Sequence, residues 1–309
     1  MSEEMDLRLA VLIDADNAPR SALGDVMAEI AVYGTPTIKR IYGDWTTPNL
    51  ASWKPLLLEN AITPVQQYSY TTGKNSTDSA MIIDAMDILY GGQVDGFVLV
   101  SSDSDFTRLA IRLREAGKKV YGMGEKKTPN PFIVACDKFV YIEVIRSAAE
   151  QARAEEAARA AAQAPKPKKA AKKKTGEPPA PQPEPEPASR VPQDIVTLIA
   201  DSVEMMADED GYAQLGEVAN LLVRKKRDFD PRNFGFSKLS KLVKALPRFE
   251  VDVRQGSQPN ATYFFVRDKE GTDNRKARGI AAGLLSVSKK SFRHADELFE
   301  TSKKFQKVI

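Results

Sequence analysis

The chain has 309 residues, with 45 basic and 42 acidic side chains and a formal net charge of +3, but only one cysteine and one histidine. One cysteine excludes a disulfide framework and Cys-rich zinc modules, and it favours a reducing, cytoplasmic location. One histidine, His294, makes a histidine-based triad or a multi-histidine zinc site unexpected. The start of the chain lacks a signal-peptide profile, and no apolar run approaches the ~20 residues of a membrane span. Acid–base or metal chemistry is therefore expected to rest on carboxylates.

The N-terminal part alternates short β-type runs with helical patterns, which is typical of a doubly wound α/β domain with a mostly parallel sheet. The fourth predicted strand, GFVLVSS, is apolar up to its two terminal serines, as expected for a strand buried on both faces. The predicted strands cover residues 7–14, 35–45, 62–68, 96–102 and 118–124. The predicted helices between them cover about 19–33, 50–61, 77–92 and 105–117.

Composition divides the chain into four predicted regions, and the charge is unevenly shared among them. The α/β domain, 7–146, lies in a stretch (1–146) with 15 basic and 19 acidic groups, net −4. An Ala-rich helix followed by a Lys- and Pro/Glu-rich disordered linker, 147–190, carries net +3. A second domain, 191–268, carries net −1, and a basic tail, 269–309, carries net +5. The positive charge thus lies in segments that can attract a polyanion without reading its sequence.

The second domain has the pattern of a small winged-helix α+β fold. Two amphipathic helical patterns precede a DPRNFG turn, a short helical pattern follows in SKLSKLVKAL, and RFEVDVRQGSQPNATYFFVR reads as a β-hairpin. Basic side chains in and after its helices are candidates for an RNA-contacting face, although an ordinary solvated face explains them equally well. The candidates are Lys225, Lys226, Arg227, Lys238 and Lys241, with Arg232 and Lys244 beside them.

Carboxylates follow two of the predicted strands of the first domain. Asp14 and Asp16 stand on the exit loop of the first strand, and Asp103 and Asp105 stand on that of the apolar fourth strand. Asp78 lies in the first turn of the helix between them. In a doubly wound sheet, ligands bind beyond the carboxyl ends of the strands, near the point where the strand order reverses. These residues are therefore expected to share one edge of the sheet.

Each carboxylate also has a purely structural interpretation. Asp78 and Asp103 could be helix N-caps, and Asp14 could simply end a strand. Taken together, however, several carboxylates at one edge repel each other unless a cation offsets their charge. Oxygen ligands suit Mg²⁺ or Mn²⁺, which activate a water for attack on a phosphodiester. Asp84 lies about 120° around the helix from Asp78, so the two are not expected to share one ligand equally.

Side chains near this edge offer charge and stacking surfaces for RNA. Lys74 precedes the Asp78 helix, and Arg40 and Trp45 lie in the second predicted strand. A solvated charge, or a core position for Trp45, is the alternative interpretation. Ser101 and Ser102 have no histidine to activate them, so a nucleophilic role is not expected.

The segments VLIDADNAP, IYGDW, PVQQYSYTTGKNSTDSAMIIDAMDILY and GFVLVSSDSDFTRLAIRLREAGKKVYGMG resemble the NYN domain, a branch of the PIN-like nucleases. The resemblance covers about residues 7–145 and implies a PIN-like Rossmannoid fold and metal-dependent ribonuclease activity. It implies that the catalytic, metal-binding carboxylates are Asp14, Asp78, Asp103 and Asp105. It also implies supporting polar roles for Asn17 and Ser102, with Asp84 as a further supporting candidate.

The second domain resembles the LOTUS (OST-HTH) domain through Gly211-Tyr212 followed by LGEVANLL, and through Phe234-Gly235-Phe236 before a helix and a hairpin. This resemblance implies binding of RNA or of a partner protein. The tail, which interleaves phenylalanine with lysine, could also bind a protein or fold back on a domain.

The favoured hypothesis is an endoribonuclease that uses Mg²⁺ or Mn²⁺ to cleave single-stranded RNA recruited by the LOTUS-like domain. A non-catalytic RNA-binding or adaptor protein is the main alternative. An Asp-nucleophile phosphatase, suggested by Asp14-Ala15-Asp16 after a strand, is less favoured because helix-forming sequence begins at Pro19 and leaves no room for a flap.

Overall fold

The structure is a computed structural model that describes residues 6–68, 76–163, 191–255 and 262–271. It divides into two units. The first contains the chain up to Arg190 together with Asn220–Leu239, and the second contains Val191–Ala219 and the chain from Ser240. The segment Asn220–Leu239 therefore packs with the first unit, although it lies inside the predicted winged-helix domain. Lys74, residues 164–190, the predicted hairpin turn at 256–261 and the predicted tail beyond residue 271 lie outside the described residues.

The first unit is built on a six-stranded sheet in which every neighbouring pair of strands is parallel. The strand order is β3-β2-β1-β4-β5-β6. The strands are β1 (Arg8–Asp14), β2 (Thr35–Gly43), β3 (Thr63–Gln66), β4 (Gly96–Val100), β5 (Lys119–Gly124) and β6 (Lys138–Tyr141). The expected α/β fold with a parallel sheet is confirmed.

Helices cover both faces of this sheet. They are α1 (Leu23–Ile30), α2 (Lys54–Glu59), α3 (Ser76–Gly91), α4 (Thr107–Glu115), α5 (Asn130–Ala135) and α6 (Ile142–Gln163). Side chains of β1 alternate between two apolar cores, since Leu12 packs in one and Val11 and Ile13 in the other. Burial on both faces explains why β1 and β4 read as continuous apolar runs.

One strand of the sheet was absent from the sequence-based prediction. The short β6, KFVY, has only four residues and sits between the helices α5 and α6. A run this short gives little periodicity to distinguish a strand from a helix end. Its place in the sheet comes from pairing with β5, between Tyr121–Gly124 and Lys138–Tyr141.

The second unit has an antiparallel three-stranded sheet in the order β7-β9-β8. Its strands are β7 (Tyr212–Gln214), β8 (Phe249–Gln255) and β9 (Thr262–Asp268). The accompanying helices are α7 (Gln193–Met206), α8 (Leu215–Lys225) and α9 (Leu239–Ala245). The predicted helices and hairpin are present, and a third strand, β7, pairs with β9. Buried Ile195, Ile199 and Val203 recur at a helical spacing along α7.

A close backbone contact in β5 gives a test of the packing. A Cβ atom added at Gly122 would lie 2.5 Å from the ring of Phe139 and 2.7 Å from Sγ of Cys136, both fully buried. We therefore expect Gly122→Ala to lower the free energy of unfolding by about 1–3 kcal/mol, as overpacked cores do. Gly24→Ala, where nothing lies within 4 Å, is the matched control and should be neutral or stabilising. Urea unfolding measures both; equal stability of the two variants would contradict the packing described.

Candidate metal centre

The strand order reverses between β1 and β4. The chain passes outward from β1 to β3 on one side and from β4 to β6 on the other, so these two central strands are neighbours. Asp14 is the last residue of β1, and the SSDSD segment follows β4 directly. The predicted carboxylates of both loops therefore leave the sheet at its topological switch point, where open α/β sheets bind ligands.

Three carboxylates converge at this edge. One carboxylate oxygen from each of Asp78, Asp103 and Asp105 lies within 4.8 Å of those of the other two. Asp78 comes from the first turn of α3, whereas the other two flank the start of the 3-10 helix Ser104–Phe106. Asp103 also caps that helix, because its Oδ1 accepts a hydrogen bond from the Asp105 amide at 2.9 Å. Capping and convergence on one site are thus compatible in this residue.

Asp14, the fourth predicted ligand, lies outside this group of three. It is fully buried, and each of its carboxylate oxygens accepts two hydrogen bonds. Oδ1 accepts from the amides of Asp16 and Asn17, at 3.0 and 3.3 Å. Oδ2 accepts from Asn17 Nδ2 and from Ser101 Oγ, each at 2.8 Å. These bonds fix the loop that follows β1, and they leave the carboxylate poorly placed to act as a nucleophile.

Hydroxyl groups connect the loops that carry the carboxylates. Ser101 Oγ donates to Asp14 and accepts from the Asp103 amide at 3.0 Å, so it joins the ends of β1 and β4. Ser102 Oγ accepts from the Glu125 amide at 2.9 Å, which ties the same loop to the end of β5. Ser101 is a site residue that sequence reasoning missed, because it was considered only as a nucleophile.

A second link reaches helix α3. Thr77 Oγ1 donates to Oδ2 of Asp16 at 3.2 Å, and thereby joins the β1 exit loop to the residue just before Asp78. Thr77 was missed as a site residue, whereas Asp16 was predicted at this edge but was given no role in it. Their pairing depends on a contact between residues 61 positions apart, which the local sequence does not reveal.

The electrostatics of the three-carboxylate group are unfavourable without a cation. Burial raises the pKa of Asp78 to about 6, and the negative charges of Asp14, Asp103, Asp105 and Asp16 add to the shift. Burial also raises the pKa of Asp14, although hydrogen bonds from Asn17 and Ser101 oppose the change. A divalent cation would offset this repulsion, and an all-oxygen donor set suits Mg²⁺ or Mn²⁺.

Asp84, a predicted supporting residue, lies on the same helix but bonds elsewhere. Its carboxylate accepts hydrogen bonds from Arg40 and from the buried hydroxyl of Tyr42, both on β2. This network joins α3 to β2, and so fixes the helix that carries Asp78. Arg40, predicted as an RNA contact, is engaged in this ion pair.

Trp45, which was also predicted as an RNA contact, is half-buried. Its indole N–H donates to the carbonyl of Val65 at 2.9 Å, and its ring packs against one of the two apolar cores. Its contacts match the alternative interpretation as a packed aromatic.

The predicted basic candidates around α8 and α9 differ in their surroundings. Lys225, Lys238 and Lys241 are exposed. Lys226 pairs with Asp228 at 3.1 Å, whereas the Arg227 guanidinium donates to the carbonyl of Asp137. The exposed lysines therefore have the environment that phosphate contacts need.

Comparison with known domain families shows which families the two parts of the chain match. The NYN domain matches residues 8–143, and the OST-HTH/LOTUS domain matches residues 186–261. The chain contains an NYN domain followed by an OST-HTH/LOTUS domain. The NYN domain belongs to a superfamily of PIN-like nucleases, and the OST-HTH/LOTUS domain indicates RNA binding.

Comparison with curated proteins gave no match. Among solved structures, the chain is similar to a protein of unknown function, VPA0982, from Vibrio parahaemolyticus RIMD 2210633, with 22% identity and a TM-score of 0.39. That match covers 46% of this chain and 96% of the other. It is also similar to an uncharacterized protein from gene locus NE0665 of Nitrosomonas europaea, with 30% identity and a TM-score of 0.23 over 33% of this chain and 92% of the other.

Within the ranges that the structure describes, no helix combines the length and apolar character needed to cross a membrane.

The hydrogen bonds of Asp14 predict that its replacement perturbs the NYN domain itself. In Asp14→Asn, an amide N–H₂ replaces one oxygen that accepts from two donors, so at least one buried donor loses its partner. We expect the free energy of unfolding to fall by about 1–3 kcal/mol. Asp16→Asn, at an exposed position on the same loop, should cost less than about half of that. Thermal and urea unfolding test this; an Asp14→Asn variant as stable as the parent would contradict the assigned hydrogen bonds.

The raised pKa of Asp78 predicts a pH-dependent stability of the metal-free protein. The pKa of Asp78 in the folded protein, about 6, lies above the reference value of 3.8, so the folded state binds the Asp78 proton more tightly than the unfolded state. The stability that this gives is fully present below pH 3.8 and is lost as the pH rises through 6. Asp78→Asn should therefore raise the free energy of unfolding at pH 8 by on the order of 1–2 kcal/mol, with no such gain at pH 4. Asp87→Asn, exposed on the same helix, is the control. Equal effects of both variants at pH 8 in EDTA would contradict the repulsion described.

Proposed function

We propose that the chain is a metal-dependent endoribonuclease that hydrolyses RNA phosphodiesters at the switch-point edge of its NYN domain. The observation that carries this proposal is the convergence of Asp78, Asp103 and Asp105 at the edge where the strand order reverses. Family membership alone would not identify the site, because nuclease activity depends on the retained side chains rather than on the fold.

The carboxylates at this edge fit a divalent cation. Asp78, Asp103 and Asp105 would hold Mg²⁺ or Mn²⁺. Burial raises the pKa of Asp78, and the neighbouring negative charges, which such an ion would offset, add to the shift. When bound, the ion supplies Lewis-acid stabilisation of the phosphate charge and an activated water. Direct coordination by Asp14 stays a prediction; it would require Asp14 to give up one of its four hydrogen bonds.

The surrounding residues position the site. Ser101 and Ser102 fix the loop that carries Asp103 and Asp105. The Ser101 hydroxyl donates to Asp14 and accepts from the Asp103 amide, and the Ser102 hydroxyl accepts from the Glu125 amide. Asp84 holds α3 against β2, which places Asp78. Such pre-organisation lets the carboxylates meet the substrate without rearranging.

Substrate recruitment is proposed for the OST-HTH/LOTUS domain. It would bind single-stranded RNA, with exposed Lys225, Lys238 and Lys241 as phosphate contacts. Because both domains share one chain, this binding would raise the local concentration of RNA at the NYN domain without making cleavage sequence-specific. Binding of a partner protein by this domain is the alternative use.

Cleavage of a labelled, circular, unstructured RNA tests the activity. A circular substrate has no ends, so its linearisation in Mg²⁺ or Mn²⁺ identifies an endonuclease. We expect Asp105→Asn to reduce the rate by about 100-fold or more through loss of a metal ligand. Asp87→Asn, which neutralises an exposed carboxylate outside the cluster, should retain the parent rate. EDTA should abolish cleavage.

Two outcomes would overturn the proposal. Full activity of a correctly folded Asp105→Asn variant, or cleavage that persists in excess EDTA, would remove the role of the carboxylate group. RNA binding by the parent chain with no cleavage in either metal would instead favour the non-catalytic RNA-binding or adaptor function.

A further inference from the structure

Strand β6 forms one edge of the six-stranded sheet, yet its outer backbone is not left to solvent. The amide of Phe139 donates to the carbonyl of Arg227 at 2.9 Å, and the Arg227 guanidinium donates to the carbonyl of Asp137 at 3.1 Å. Arg227 thus satisfies a backbone donor and a backbone acceptor of the edge strand, as a neighbouring strand would. Residue 227 lies within the OST-HTH/LOTUS match but packs with the first unit.

A charge network holds the residues that follow Arg227. The Arg232 guanidinium donates to both carboxylate oxygens of Glu29 on α1, at 2.8 and 2.7 Å, and also pairs with Asp230 at 2.7 Å. Side-chain exposure is 22% for Arg232, 12% for Glu29 and 8% for Asp230, so this is not a surface ion pair. Planar, bidentate pairs of this kind are strong and geometrically specific.

Residues of the NYN domain make further contacts around this network. Tyr33 donates its hydroxyl to Glu29 at 2.8 Å, and the ammonium group of Lys138 lies 4.8 Å from the centre of the Tyr33 ring. The Tyr141 hydroxyl at the end of β6 donates to Asp228 at 2.9 Å. Both ends of β6 and the end of α1 therefore contact the same short segment.

The segment is also braced internally. Asp230 Oδ1 accepts from the Arg232 amide at 2.9 Å and caps the 3-10 helix Pro231–Phe234. Asn233 Nδ2 donates to the carbonyl of Asp228 at 2.8 Å. Its conformation is thus fixed by its own side chains, which lowers the entropic cost of docking.

We propose that Lys226–Phe234 is a docking segment that completes the nuclease unit at strand β6. The nuclease unit of this chain is then discontinuous in sequence: the NYN domain supplies the sheet, and a segment within the OST-HTH/LOTUS match supplies the cover of its edge. The ion pair between Glu29 and Arg232 holds the segment in place.

Hydrogen exchange of the Phe139 amide in the full chain tests the docking. Exchange at this amide requires the segment to open, so weakening the docking speeds it. We expect Tyr141→Phe, which removes one hydrogen bond and little volume, to speed exchange about two- to tenfold. Arg232→Gln should speed it by at least about tenfold, because it leaves the largely buried Glu29 without its partner.

A double-mutant cycle separates docking from a general loss of stability. If Glu29 and Arg232 act as one pair, the double variant Glu29→Gln/Arg232→Gln should exchange no faster than about twice the faster single variant. The matched control is the exposed pair Arg8–Asp95, also within the first unit, with side-chain exposures of 53% and 38%. Arg8→Gln and Asp95→Asn should each change Phe139 exchange by less than about threefold.

Unchanged Phe139 exchange in both Tyr141→Phe and Arg232→Gln would overturn the docking. If the increases in Phe139 exchange rate caused by Glu29→Gln and Arg232→Gln simply multiply in the double variant, the ion pair is not what holds the segment in place. Exchange is read without RNA or metal, so these outcomes are independent of whether the chain cleaves RNA.

Discussion

The hydrogen bond from Ser101 to the buried carboxylate of Asp14 is the contact on which the candidate site depends. It joins the ends of the two central strands at the point where the strand order of the sheet reverses. The same serine accepts from the Asp103 amide, so the position of one acidic loop is set by the other. The two acidic loops are therefore held in a fixed position relative to each other.

The acidic residues of the site have different environments and different roles. Asp14 is buried and saturated with hydrogen bonds, whereas Asp105 is exposed and Asp103 half-exposed. The interior carboxylate therefore stabilises the local backbone, and the outer ones keep oxygens directed to a common point. Asp78 stands between these environments, which is why burial and four neighbouring charges act on its pKa together.

Much of the nuclease fold could be predicted because its signals are local. Long apolar strands such as β1 and β4, separated by amphipathic helices, have a periodicity that the sequence displays directly, and a parallel sheet then places their exit loops at one edge. The roles of Asp14, Ser101 and Arg40 could not be predicted in this way. Each depends on a partner distant in the chain: Ser101 is 87 positions from Asp14, and Asp84 is 44 from Arg40.

Strand β6 and its cover were missed for a related reason. Four residues between two helices carry too little pattern to identify a strand. The basic residues after α8 were candidates for an RNA-contacting face, with an ordinary solvated face as an equal alternative. Sequence alone does not show that the Arg227 guanidinium donates to the carbonyl of Asp137, which lies in the NYN match. Charge pattern identifies residues that can bind an anion, but their actual partners depend on tertiary packing.

The cover over β6 also bears on how the protein behaves when it is divided. A fragment cut between the two domain matches would keep the sheet but lose Arg227 and Arg232, and the edge of β6 would then be open. Open edge strands pair readily with strands of other molecules, and this pairing is a common route to aggregation. Trimming this protein at the limits of the NYN match would therefore expose the edge of β6, which Arg227 covers in the full chain.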